Sequence, residues 1–264
     1  MTELVIFFEA TGLACANPVA TSGVLLDMNE KIELTGVPET MLQTLYARAK
    51  ESRTRGAVTD KKAEEIIEKL DYDFSLADSD VAMSSGVIAR TIVLDKMVSS
   101  WLCDHPDAVV VNIACGLDTR CYRMAGFKHW YNLDLPETIA VRAKLLPEDG
   151  AISQIAMSAM DDRGSVIKES APTLVIIEGL TMYLTQEDVQ RIFEIIAARF
   201  ETATVFVETM NPVMVRRWPS SCRTSALCAS TGSPRAWRSL FRYISCSTSC
   251  PRCAASRRTF GRRP

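Results

Sequence analysis

The stretch that decides the fold is Val109-Val110-Val111-Asn112-Ile113-Ala114-Cys115-Gly116-Leu117-Asp118-Thr119-Arg120. Three consecutive valines followed by Asn-Ile form a short β-branched run, as expected of a strand buried on both faces of a parallel sheet. The run breaks at three small residues, Ala114, Cys115 and Gly116, and continues into polar and charged ones. Gly116 lets a ligand approach the backbone closely. The turn lacks the full G-x-G-x-x-G pattern, so it does not read as a cradle for a pyrophosphate.

Downstream of this stretch, strands and helices alternate. AVVVNIA (108–114), HWYNLDL (129–135), AISQIAM (151–157), TLVIIEG (173–179) and ATVFVETM (203–210) are strand-like runs. PETIAVRAKLL (136–146) and TQEDVQRIFEIIAARF (185–200) are the clearest helices between them. Pro136 suits a first helical turn, and Thr185 with Asp188 forms a capping pair. The alternation implies a parallel sheet covered on both faces, with ligands at the carboxyl ends of its strands. Upstream, Pro38 and Glu39 open a helix with Met41, Leu42, Leu45 and Tyr46 on its apolar side. A second helix starts at Thr59 or Asp60, and a long one runs from about Val81 to Cys103. Residues 1–27 show neither periodicity nor helix signals. Their patch LVIFF (4–8) has no basic residue before it and Glu9 just after, unlike a secretory signal.

The second strand of the series ends in NLDLPE and places Asp134 about twenty residues beyond the turn. An acidic side chain there can accept hydrogen bonds from two ribose hydroxyls. A glycine turn and this spacing, without a phosphate cradle, point to a nucleoside that carries no pyrophosphate. S-adenosylmethionine fits that description.

Charge divides the chain sharply. Residues 1–212 hold 19 basic and all 32 acidic side chains, a net −13, whereas residues 213–264 hold 11 arginines and no acid. The latter also contain five of the nine cysteines. Cys250 and Cys253 have C-x-x-C spacing, but no second ligand pair or tail histidine completes a zinc site. The arginines would favour phosphate contact, which makes nucleic-acid binding an alternative function. No run reaches the eighteen apolar residues of a membrane span.

NIACGLDTR (112–120), WYNLDLPETIAVRAKLLPE (130–148) and IIEGLTMYLTQEDV (176–189) resemble, in order, the motifs of the leucine carboxyl methyltransferase family. The likeness is to its bacterial branch of tetracenomycin-type polyketide O-methyltransferases. ELTGVPETMLQTLYARAKES, YDFS and VIARTIVLD extend it from about Met28 to Pro212. The resemblance implies an α/β, Rossmann-like class I methyltransferase sheet with helices on both faces and an N-terminal helical cap. It also implies S-adenosylmethionine as methyl donor and a cytoplasmic O-methyltransferase acting on a carboxylate or hydroxyl of a small, polyketide-like molecule, with no nucleic-acid or membrane partner. Methylation of a protein C-terminal leucine is the alternative from the other branch.

By the same resemblance, Arg90 pairs with the methionyl carboxylate and Arg48 makes a second contact there. Gly116 lies against the cofactor, Asp134 binds the ribose, and Asp161 (or Asp162) accepts from the adenine amino group. Glu178 faces the cleft. Met182 and Tyr183 have two readings, lining of the transfer site or ordinary core, and are kept out of the catalytic set. Cys115 reads as a space-filler. No catalytic acid or base is assigned. The family sheet also implies two further strands after residue 210, the last antiparallel beside the fifth, and these have no counterpart here. The expected organisation is therefore a non-native extension over 1–27 ahead of a natural start at Met28, and a truncated methyltransferase domain over 28–212. A frame-shifted, unstructured tail follows over 213–264, with the shift near 215–219. Low solubility and little activity are expected, because the fifth strand of the series would present an open edge.

Overall fold

The computed structural model describes residues 3–9, 39–161, 167 and 171–210. Six strands form one sheet: β1 (Glu3–Glu9), β2 (Ala108–Ile113), β3 (Phe127–Asp134), β4 (Ile152–Ala156), β5 (Thr173–Ile177) and β6 (Ala203–Met210). All neighbours are parallel, in the order β1-β6-β5-β2-β3-β4. The chain runs from β2 outward to β3 and β4, then returns to β5 on the other side of β2. That reversal opens a crevice between the carboxyl ends of β2 and β5, where ligands bind in sheets of this kind.

Alternation along the strands builds the two faces. Val109, Val111 and Ile113 pack with Val175, Ile177, Val205 and Val207 against Ile192 and Ile196 of helix α6 (Gln186–Arg199). On the opposite face Val110, Trp130, Leu174, Ile176 and Phe206 pack against Leu94, Val98 and Leu102 of α4 (Val81–Asp104). α6 begins with the expected capping box, in which the Thr185 hydroxyl accepts from the Asp188 N–H and the Asp188 carboxylate accepts from the Thr185 N–H. Pro136 sits in the first turn of α5 (Pro136–Leu145).

Three helices form the N-terminal cap: α1 (Glu39–Thr54), α2 (Lys61–Lys69) and the short α3 (Ser75–Ser79). Leu42 and Leu45 of α1 and Ala63 and Ile66 of α2 share a buried cluster with Leu117, Leu145 and Leu146. The cap is thereby fastened directly over the turn that follows β2. α3 has no counterpart in the sequence reading, because five residues are too few to show a helical period. Among the described residues no helix is long and apolar enough to cross a membrane.

Residues 1–27, in which the sequence reading placed no helix or periodic element, contain the strand Glu3–Glu9. This segment pairs in parallel with the whole of β6, from Glu3 opposite Thr204 to Glu9 opposite Met210. The apolar run Leu4–Phe8 has the length of a strand and no period, so it carries the signal of a fully buried strand without the alternation that would reveal a half-buried one. The open edge expected of β6 is accordingly absent, and with it the stated ground for aggregation. The position beside β6 is filled by a parallel strand from the amino end of the chain, not by an antiparallel strand from its carboxyl end. The expectations for residues 10–27 and 213–264 concern residues outside the described ones.

Candidate functional site

The turn after β2 is held in an uncommon backbone conformation. Ala114 and Gly116 both have positive φ, 53° and 46°, which costs an L-residue such as Ala114 about 1–2 kcal/mol. A side chain at Gly116 would be strained by that φ and would bring its Cβ to 3.1 Å from the Met41 sulfur. Hydrogen bonds hold the turn at several points along its backbone. The Cys115 N–H donates to the Leu133 carbonyl (3.2 Å) and the Asp118 N–H to the Cys115 carbonyl (2.8 Å). The Gly116 N–H donates to Asp134 Oδ2 at 2.8 Å. The Gly116 carbonyl accepts from Arg142 at 2.8 Å and the Leu117 carbonyl from Arg48 at 3.0 Å.

Asp134 ends β3, beside the turn. Its second oxygen accepts the Leu135 N–H at 2.7 Å. Burial raises its pKa above the ordinary carboxylate value, outweighing the N–H groups of Gly116 and Leu135, the Thr138 side chain and the Arg142 charge. A carboxylate offers about four lone-pair sites, so the two backbone donors and the Thr138 side chain do not exhaust it. Cys115 is buried, and burial pushes its thiol up to about 12. It is a neutral filler, not a nucleophile.

A buried ion network fills the crevice side. Arg120, 1% exposed, pairs with Asp95 of α4 (2.6 Å), Asp118 of the turn (2.8 Å) and Glu178, just after β5 (2.6 Å). Arg123 pairs with Asp95 at 2.9 Å. Arg90 pairs with Glu178 at 3.1 Å and with Glu208 of β6 at 3.4 Å, and Glu208 also accepts the Gly179 N–H at 2.7 Å. Burial opposes ionisation of Asp118 and Glu178, yet the adjoining arginines hold both below the usual range: Arg120 and Arg123 for Asp118, Arg120 and Arg90 for Glu178. Buried ions persist only with such partners.

The structure thus joins Gly116 to Asp134 and Arg90 to Glu178, at the ends of adjacent strands. The Arg48 guanidinium is committed to Asp60 (3.0 Å) and the Leu117 carbonyl, so it braces the turn from α1. Asp161 follows β4, one strand beyond Asp134; its carbonyl accepts from Arg199 at 2.7 Å. Asp162, the alternative, lies outside the described residues. Met182 and Tyr183 belong to a 3-10 turn after β5, with Tyr183 half exposed. The sequence reading assigned no role to Arg120, Asp118, Asp95, Arg142 or Glu208. A charged residue inside an apolar run, such as Glu208 in VFVETM, is the signal available for them.

The sequence profile of the leucine carboxyl methyltransferase family matches residues 41–197. The tetracenomycin polyketide synthesis O-methyltransferase TcmP of Streptomyces glaucescens is 35% identical over 214 residues, covering 80% of this chain and 78% of that one. The S-adenosyl-L-methionine-dependent methyltransferase dpfgK of Gibberella zeae is 31% identical over 203 residues, covering 70% and 68%. Among solved structures, the N-methyltransferase NodS of Bradyrhizobium japonicum overlays with a TM-score of 0.41 at 14% identity, covering 58% of this chain and 80% of that one.

Proposed function

The chain belongs to the leucine carboxyl methyltransferase family and is an S-adenosylmethionine-dependent O-methyltransferase, and from that premise we propose that its acceptor is a carboxylate on a small, polyketide-like molecule. The observation that carries the cofactor half of this reading is the Gly116 N–H held by Asp134 at 2.8 Å. It sets a side-chain-free stretch of backbone beside a carboxylate with acceptor capacity to spare, which fits a ribose lying across the turn.

In this reading Asp134 accepts the ribose hydroxyls and Asp161 the adenine amino group. Glu178 faces the cofactor's ammonium, and Arg90 faces its carboxylate. Arg48 acts at one remove, through the Leu117 carbonyl. Bound S-adenosylmethionine supplies a sulfonium methyl that is already activated. The protein's share is to hold donor and acceptor in line and to exclude water, with Met182 and Tyr183 beside the acceptor.

The positions of the histidines favour an acceptor that is already an anion. The chain has two. His105 precedes β2, and His129 lies in the first half of β3, so both stand toward the amino ends of the strands, away from the turn. A carboxylate is ionised at pH 7 and needs no base, whereas an alcohol does. The setting proposed is the cytoplasm. The test is to offer the purified chain aromatic polyketide acids with S-adenosylmethionine and to treat the product with mild alkali. A methyl ester, lost in alkali, is expected; an alkali-stable methyl ether would move the proposal to a hydroxyl acceptor.

A further inference from the structure

Arg142 lies in α5 with no exposed surface. A guanidinium keeps its charge at any physiological pH, and burying one is costly unless a carboxylate or several acceptors meet it. Here Nη1 donates to the Gly116 carbonyl at 2.8 Å and Nη2 to the Cys121 sulfur at 3.6 Å. Among the described residues Nε has no hydrogen-bond partner, and no carboxylate stands within ion-pair distance of the group. An apolar side chain would fill the same space without that penalty. What the arginine adds is its grip on one carbonyl.

That carbonyl belongs to the glycine whose N–H is held by Asp134. The two peptide planes on either side of the Gly116 Cα are therefore each held, one by a carboxylate and one by a guanidinium. Glycine populates positive and negative φ with similar ease, so a left-handed Gly116 needs such restraint to stay in one conformation. Arg48 repeats the arrangement on the next carbonyl, that of Leu117.

We propose that Arg142 is a positioning residue for the cofactor turn, its guanidinium fixing the Gly116 carbonyl so that the turn and the Asp134 carboxylate keep the spacing a ribose requires. This rests on the reading of the turn as the S-adenosylmethionine site. Asp134 is faced by the Gly116 N–H and the Cys115 thiol of the turn, by its neighbour Leu135 N–H, and by Thr138 and Arg142 of α5. Arg142 is the one cation in that set, and its charge favours the ionised carboxyl against burial.

The test uses the full chain with Arg142→Met and Arg142→Lys, titrated calorimetrically with S-adenosylhomocysteine from about pH 5 to pH 8, with a thermal melt of each protein. Methionine is expected to weaken binding about ten-fold or more at neutral pH, the loss typical of a charge-assisted hydrogen bond. It is also expected to move the acid limb of the affinity profile to higher pH, because Asp134 protonates more readily without its cation. Lysine should return the acid limb to its place but not the full affinity, since one ammonium does not span both acceptors. A methionine variant that binds as tightly as the parent, with an unmoved pH profile, would overturn the proposal. Should that variant not fold, the lysine variant decides: undiminished affinity sinks the proposal, reduced affinity with an unmoved acid limb supports it. If the parent chain itself takes up no S-adenosylhomocysteine, the reading of the turn fails and this inference with it. If the parent binds and the variants are indifferent, only the role of Arg142 fails.

Discussion

Asp134 has to be ionised to accept two hydroxyl hydrogens, and burial makes it harder to ionise than an ordinary aspartate. Affinity for S-adenosylhomocysteine should therefore begin to fall as pH drops through a raised carboxyl pKa, in mild acid and above the usual value near 4. Calorimetry across that range, alongside circular dichroism, is expected to show binding lost before the fold is. Simultaneous loss of both would mean that Asp134 does not govern binding. At Arg90, replacement by methionine should weaken S-adenosylmethionine more than adenosine, because only the former carries a carboxylate; equal losses would leave Arg90 a purely structural partner of Glu178 and Glu208. At this scale the juxtaposition of Gly116 and Asp134 was legible in the sequence, since it depends on backbone freedom and on spacing along neighbouring strands. Arg120 was not. Its environment is made by Asp95, Asp118 and Glu178, which come from a helix, a turn and a strand end and share no local pattern.

The same ion network ties elements together, and its pH dependence has a definite sign. Asp60, Asp118 and Glu178 all have folded-state pKa values below their unfolded ones. Their contribution to stability is thus complete above the unfolded carboxyl pKa, about 4, and is lost as pH falls below it. Asp134, raised, contributes in the opposite sense and softens the loss without reversing it. Thermal melts should show a transition temperature steady above about pH 5 and dropping steeply below about pH 4; a transition that rises on acidification would contradict the network's role. The strands β2 to β6 could be read as short β-branched runs alternating with helices, and the long helices from their period and caps. β1 could not be placed, because a uniform apolar run names no face and the sequence alone does not tell which edge it joins. Its placement makes a prediction: removing residues 1–9 should expose the β6 edge and shift the protein from monodisperse species to aggregates by size-exclusion chromatography. An unchanged elution profile would mean that β1 does not protect that edge.

At the scale of the whole molecule, the net −13 of residues 1–212 and the eleven arginines of residues 213–264 are a division that a single globular unit rarely shows. We propose that the latter arise from a shifted reading frame, which resequencing the gene decides; an intact frame would refute it. The central claim is independent of that outcome and concerns the turn between β2 and β3. It is tested most directly by titrating the purified chain and its Asp134→Ala variant with S-adenosylhomocysteine in a calorimeter at neutral pH. The parent should bind one equivalent, and the variant should bind more weakly by about 1.5–3 kcal/mol, the range for hydrogen bonds to a charged group. A parent that binds nothing, or a variant that binds as tightly as the parent, would contradict the assignment of this turn as the cofactor site.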